Sequence, residues 1–283
     1  MTAAALDACL CLLLISAAAV TVTSVPASQA ITHADRADAV AETLAATTAE
    51  VPYTLEPSPN AATDPDTNPE FDRVAHGTLA SLLADAAVRT VRVDGEALTR
   101  TNAGFAAAVR EAVADRLPPR TRVVVRWKPF PDAHLGRTFA VGDAPPQSAD
   151  VHAETIRVPS GVDAPATADV AAKEDGYRAL ARVLADSLVA GILPPEKARL
   201  ALGDDAPLDD LVRHRYRRVS DRYGVDTAAA IERGDTHEAN RQIAAAMADR
   251  VAADLGRANE SPTEAVEMLA LDTVEISVRT WSP

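Results

Sequence analysis

The side chains that most often carry out chemistry are scattered along this chain. None of its six histidines is paired with another at the i, i+4 spacing that lets one helix present two metal ligands. No serine lies in a Gly-x-Ser-x-Gly nucleophile turn, and no glycine-rich loop that would cradle a phosphate is present. We therefore predict no catalytic residue, no cofactor and no metal site, and hence that the protein is not an enzyme.

The densest group of like charges is a basic cluster near residue 215. The cluster comprises Arg213, Arg215, Arg217, Arg218 and Arg222. Guanidinium groups bind carboxylates and phosphates, so one hypothesis is a patch for an anionic lipid headgroup, a glycan or an acidic partner. The alternative is a solvated helix face. Asp209 and Asp210 at the start of this helix and arginine at its end complement the helix dipole, and Asp209 reaches Arg213 at i+4.

The charge balance of the whole chain is strongly acidic. With 41 acidic and 28 basic residues, the net charge is −13, which argues against a nucleic-acid-binding protein. Asp outnumbers Glu by 26 to 15, and only three lysines accompany 25 arginines. This skew favours a halophilic protein, because concentrated salt screens the repulsion within a dense carboxylate shell. A GC-rich genome would produce a similar skew.

An apolar segment lies near the N-terminus. Residues 3–25 contain a single charge, Asp7, and about 20 such residues cross a bilayer as a helix. A membrane anchor, a cleaved signal peptide and a buried core helix all fit this run. The residues before it hold no Lys or Arg, unlike an ordinary signal peptide. We favour the anchor: a single-pass protein of the cell membrane that contacts the bilayer through residues 3–25 and holds its body outside the cell.

The apolar segment contains one carboxylate and two cysteines. A carboxylate at membrane depth is costly unless it pairs or reaches the interface. Asp7 is therefore a candidate assembly contact that would pair with the N-terminal amine of a neighbouring subunit, and the alternative is a simple interfacial position. Cys9 and Cys11 point about 200° apart on a helix, which excludes a disulfide between them.

Past the apolar segment, the sequence divides into an extension, a linker and a body. A weak helical period continues to about residue 50, so 1–50 is predicted to be the membrane-anchor helix and its extension. Residues 51–70 hold five prolines among Asn, Asp, Ser and Thr, a composition that cannot sustain a helix or pack a core. We predict a linker there and a globular body over 71–283.

The body is predicted to be α+β, with a small sheet and a helical C-terminal half. An α/β part spans 71–160, a helical part spans 164–272, and 273–282 is a strand that returns to the sheet. Strand signals lie at 90–93, 122–127, 137–141, 151–158 and 274–280. Helical signals lie at 71–89, 105–117, 177–188, 195–202 and 207–223, and at the capping boxes that begin at Asp235 and Ser261.

Four segments carry a resemblance to a known family: 4–22, 36–45, 76–87 and 211–218. They resemble uncharacterised haloarchaeal membrane-anchored, pilin-like proteins associated with type IV pilus-like and secretion gene clusters. The resemblance implies a non-enzymatic structural or accessory component of such an assembly, with pilin-like or secretion-machine subunits as partners. The alternative is a secreted or membrane-tethered hydrolase or ligand-binding domain of a halophile.

Overall fold

A computed structural model describes residues 33–57, 69–167, 176–204 and 207–282. Segment 3–25, with Asp7 and both cysteines, lies outside these residues, so the anchor and the assembly contact stay predictions. Among the described helices, none has the length and apolar character needed to cross a bilayer.

The strands form two antiparallel sheets. The strands are β1 Thr48–Thr54, β2 Asp72–Thr78, β3 Arg92–Val93, β4 Glu96–Ala97, β5 Thr121–Trp127, β6 Leu135–Val141, β7 Val151–Pro159 and β8 Thr273–Trp281. β1 pairs with β2 alone, and the others form a six-stranded sheet in the order β4-β3-β6-β5-β8-β7. The last strand of the chain thus lies between β5 and β7, and its predicted return to the sheet is confirmed.

Buried and less buried residues alternate along the neighbouring strands β5 and β8. Val123 and Val125 on β5 are buried, whereas Val124 between them is only partly buried. Val125 lies opposite Ile276 of β8, so the apolar side chains of both strands face one side of the sheet. A shift of one residue would turn every one of these side chains to solvent, which fixes the register.

The helices fall into two groups. They are α1 His33–Ala46, α2 Leu79–Arg89, α3 Ala103–Ala114, α4 Gly176–Ile192, α5 Pro195–Leu202, α6 Leu208–Tyr223, α7 Ala228–Glu232, α8 Thr236–Ala258 and α9 Pro262–Glu267. The first three pack with the strands, and α4 to α9 form a helical half built around the long pair α4 and α8. The mixed α+β body with a helical C-terminal half is therefore confirmed.

Two local features set the helix boundaries in this half. Asp235 and Ser261 accept hydrogen bonds from the amides three residues later, Glu238 and Glu264, and so cap α8 and α9 as predicted. Gly224 follows α6 with φ of 66°, a left-handed conformation that glycine adopts readily and that ends the helix.

The helix predicted over 71–89 is wrong in its first half, because 72–78 is strand β2. The apolar spacing from Phe71 to Leu79 imitates a helical period, but β1 offers a complete ladder of backbone partners to this segment. The helix begins only after Thr78, whose hydroxyl accepts a hydrogen bond from the amide of Ser81.

The boundary between linker and body also needs correction. Residues 51–54, assigned to a proline-rich linker, are part of β1. Pro52 is compatible with a strand there because β1 is an edge strand, where a missing N–H breaks no ladder. Helix α1, assigned to the anchor extension, packs on β7 and β8 and buries Ala41 and Leu44. The folded body therefore begins well before residue 71.

A buried carboxylate connects the helical half to the sheet. Asp254 on α8 is fully buried and accepts hydrogen bonds from the backbone amide of His134 (2.9 Å) and from its Nδ1 atom. Its other oxygen accepts a hydrogen bond from Arg257. On the far side of the imidazole ring, the Nε2 atom of His134 lies 3.0 Å from the hydroxyl of Tyr223 on α6.

This arrangement suits a neutral imidazole. In the tautomer that carries its proton on Nδ1, Nδ1–H donates to Asp254 and Nε2 accepts from the hydroxyl of Tyr223, so both ring nitrogens are satisfied without a second proton. Burial lowers the pKa of His134 below its ordinary value of 6.5, and this effect outweighs the opposing influence of Asp254.

Replacement of Asp254 by alanine should lower the free energy of unfolding by about 3–5 kcal/mol, because the two N–H groups of His134 would be left buried without an acceptor. Urea unfolding measures this loss. Asp249→Ala is the matched control, since Asp249 is an exposed aspartate of the same helix and should change stability by less than about 0.5 kcal/mol. Equal losses in the two variants would contradict the role given to Asp254.

Acidification should destabilise the fold through His134. Because the pKa of His134 is lower in the folded state, the unfolded chain binds the proton more readily. Stability is therefore complete above pH 6.5 and declines below it, by about 1.4 kcal/mol per pH unit at most for one proton.

Urea unfolding between pH 5 and 8 tests this pH dependence. The pKa of His214 is also lowered, by burial and by Arg217 and Arg218, so the comparison belongs in a His214→Gln background. Adding His134→Gln to that background should flatten the remaining slope. A slope unchanged by His134→Gln would show that this residue is not the buried neutral base.

Candidate functional site

A cavity of about 420 Å³ opens where the two halves of the body meet. Helix α2 and the loop after β7 line one side, and the end of α4 together with α5 and α6 lines the other. Its volume lies within the range of roughly 300–1,000 Å³ that is typical of small-molecule sites, which often occur at such junctions.

The walls of this cavity are largely apolar. The apolar side chains that line it are Leu55, Val88, Ile192, Leu193, Pro194, Ala198, Ala201, Leu208, Leu211 and Val212. Gly191 belongs to the same wall, and its lack of a side chain is required. A Cβ atom there would lie 2.7 Å from a methyl group of Val162.

The charged groups in the cavity are mostly basic. Arg73, Arg89, Lys197 and Arg215 line it, whereas Asp85 is the one acidic residue among the described lining residues. Asp85 already pairs with Arg89 at 2.8 Å on the same helix. The cavity therefore carries an excess of positive charge within a chain whose net charge is −13.

Arg215 is the least compensated of these cations. Its Nη2 atom donates to the carbonyl of Ile192 (3.0 Å), at the C-terminal end of α4, and its Nε atom is buried without a hydrogen-bond partner among the described residues. Burial lowers the pKa of Arg215, as does the nearby Arg89, but a guanidinium remains charged at neutral pH. A helix C-terminus supplies about half a negative charge at most, so a net positive charge remains.

Contacts behind α6 hold Arg215 in place. The next residue, Tyr216, donates its hydroxyl proton to Oδ1 of Asn240 (2.8 Å), and the Nδ2 atom of Asn240 donates to the carbonyl of Leu193 (2.8 Å). The three residues connect α6, α8 and the end of α4. These bonds fix the position of α6 beside the cavity, which Arg215 lines.

The other members of the basic cluster have different surroundings. Arg213 pairs with Asp209 at 3.6 Å, as the i+4 spacing predicted. Arg217 donates to Nδ1 of His214, and together with Arg218 these residues line a separate depression. The structure thus brings only Arg215 of the cluster into the cavity.

Arg222 has a structural role at the end of α6. It pairs with Asp94 at 2.7 Å, donates to the carbonyl of Val93 and lies near Glu96. Asp94 also receives Arg250 from α8. The hairpin of β3 and β4 is therefore clamped to the helical half beside the Asp254–His134–Tyr223 network.

Sequence reasoning did not find Arg73, Arg89 and Lys197, which come from β2, α2 and α5. In the sequence each is a single basic residue on an amphipathic or polar segment, and no local signal marks it. The aromatic side chains of Trp127 and Phe130 are both fully buried, and the indole Nε1 of Trp127 donates to the carbonyl of Leu271.

The described residues contain no group of three His, Cys, Asp or Glu side chains that could hold a metal ion. What the fold and the cavity define is an α+β protein whose two halves enclose a basic site with apolar walls. Residues 6–281 match the model of a family of unknown function, DUF7284, and the chain belongs to that family. No curated protein and no solved structure matches the chain.

Two arginines of α6 should respond in opposite ways to the same substitution. Arg222→Met should lower the free energy of unfolding by about 1–2 kcal/mol, because it removes one of the two arginines that pair with Asp94 and a donor to the carbonyl of Val93. Arg215→Met should leave it unchanged or raise it by about 1 kcal/mol, because it removes a poorly compensated, partly buried charge. Urea unfolding of the ligand-free protein measures both, and a large loss in Arg215→Met would contradict the assignment of an uncompensated cation.

Proposed function

We propose that this protein is a membrane-anchored, non-enzymatic accessory component of an archaeal type IV pilus-like or secretion assembly, and that its body acts by binding. The observation that carries the binding role is the cavity between the two halves, with its buried, unpaired Arg215 Nε atom. A preformed apolar cavity with a few fixed polar groups is the usual form of a binding site.

The anchor and the assembly are supported by the sequence. Residues 3–25 carry one charge, which is compatible with a single bilayer crossing that leaves the body outside the cell. The resemblance to haloarchaeal pilin-like proteins supports the assembly, and Asp7 is the residue that would contact a neighbouring subunit. The acidic composition supports a halophilic setting.

The alternative of a tethered hydrolase would need an activated nucleophile next to a base. Tyr223, His134 and Asp254 are the residues whose hydrogen bonds most resemble such an arrangement. However, the side chain of His134 is only 2% exposed and that of Asp254 is fully buried. Burial also raises the pKa of Tyr223, which is the opposite of what a phenol nucleophile requires. This network supports a structural role.

Crosslinking in native membranes tests the assembly role. The wild type and Asp7→Asn should both fractionate with membranes, and deletion of residues 1–30 should release the body. Asp7→Asn should lose most of the crosslinks to partner subunits, because an ion pair at membrane depth is strong and the substitution removes it without shortening the apolar run.

Asp38→Asn is the control for the crosslinking experiment, since Asp38 lies on the exposed side of α1. It should crosslink as the wild type does. Equal yields in all three proteins would remove Asp7 from the assembly. Recovery of the intact chain in the soluble fraction would remove the anchor itself.

A further inference from the structure

We infer that the cavity between the two halves binds a carboxylate carried by an apolar body, with Arg215 as the principal partner of the carboxylate. This inference rests on the proposed function only in that the body acts by binding. It names the chemical class of the ligand, which neither the family nor the anchor indicates.

The charge of the cavity is the first reason. A partly buried cation is costly unless an opposite charge is close, and the described residues offer Arg215 no carboxylate partner. Arg89 and Lys197 add to the positive potential, and Asp85 is engaged with Arg89. An anion that enters the cavity would supply the missing partner at this position.

The shape of the guanidinium group is the second reason. Its N–H groups form a planar fork that matches the two oxygens of a carboxylate. The Nε atom of Arg215 is buried and has no hydrogen-bond partner among the described residues, so an entering carboxylate reaches it after a small turn of the side chain. Among the neutral groups of the lining, Ser160 is not a free donor. The hydroxyl of Ser160 already donates to the carbonyl of Leu271 and accepts from the amide of Val162. A small anionic head fits this set of donors better than a heavily hydrated polyanion does.

The walls are the third reason. Apolar side chains from α4, α5 and α6 surround the position of Arg215, so a ligand with an apolar body would bury it against them. Two sources have this chemistry: a short aliphatic acid, and the C-terminal carboxylate of an apolar peptide. Both present one carboxylate and an apolar body, and the experiment distinguishes them.

Calorimetric titration of the full-length chain in lipid nanodiscs tests the inference, with empty nanodiscs as the blank and the KCl concentration held constant. The probes are hexanoate and its neutral analogue hexanamide, and N-acetyl-leucyl-leucine with its C-terminal amide. At least one acid should bind about tenfold more tightly than its own amide, a difference of about 1.4 kcal/mol. The tighter acid identifies the source.

Variants on α6 assign the carboxylate partner. Arg215→Gln should weaken binding of that acid about tenfold and abolish the preference over the amide. Arg215→Lys should restore part of the affinity, because a single ammonium lacks the planar fork. Arg213→Gln is the matched control: this residue pairs with Asp209, does not line the cavity, and should leave binding unchanged.

Three results would overturn the inference: equal affinity of each acid and its amide, wild-type binding by Arg215→Gln, or acetate that binds as tightly as the longer acids. None of them bears on the anchor or the assembly. Conversely, the crosslinking result for Asp7→Asn, whatever it is, does not affect the proposal that the cavity binds a carboxylate. The two proposals therefore fail separately.

Discussion

The fold depends on how a single buried carboxylate is satisfied. Asp254 reaches the interior from α8, and its two oxygens bind groups from the loop before β6 and from α8 itself. Because an unpaired charge at this depth would cost several kcal/mol, the helical half can dock on the sheet only where His134 meets Asp254. Apolar packing between the halves would tolerate small shifts, but this contact would not. It therefore determines how the two halves are placed.

Helix α6 connects the Asp254–His134–Tyr223 network to the cavity. Its C-terminal end is held by Tyr223 in the network and by Arg222 at the β3–β4 hairpin. Arg215 lies two turns earlier and faces the cavity between the same two halves. The polar groups around Asp254 all have hydrogen-bond partners, whereas the Nε atom of Arg215 has none among the described residues. An unpaired polar group next to a rigid region whose polar groups are all paired is typical of a site where a ligand supplies the missing partner.

The sequence predicted those parts of the fold whose signals are local and strict. The alternation in 274–280 predicted β8, and the N-cap residues Asp235 and Ser261 predicted two helix starts. Residues 72–78 were mistaken for helix because their pairing with β1 is a nonlocal interaction that no short window of sequence contains. For the same reason Pro52 suggested a linker, since only the topology shows that it lies on an edge strand.

Of the basic residues that line the cavity, the sequence singles out Arg215 and not the others. The basic cluster on α6 was evident, but the sequence treats Arg215 and Arg222 alike: each is an arginine on one amphipathic helix. Their roles differ because α6 passes from the apolar cavity at one end to the acidic hairpin tip, Asp94, at the other. The sequence shows which residues are charged, whereas the fold decides which of those charges find an opposite partner, because the partners come from distant elements.

The acidity of the chain gives the cavity a further property. A surface with a net charge of −13 repels anions in general, and concentrated salt screens that repulsion only beyond a few ångströms. Within the cavity, a contact between a bound anion and Arg215 would be short and partly excluded from water, so salt would weaken it much less. An anion without an apolar body would gain little there and would compete with chloride. An anion with an apolar body would also gain the burial of that body, which salt strengthens, so binding of such a ligand would be most favoured in concentrated salt.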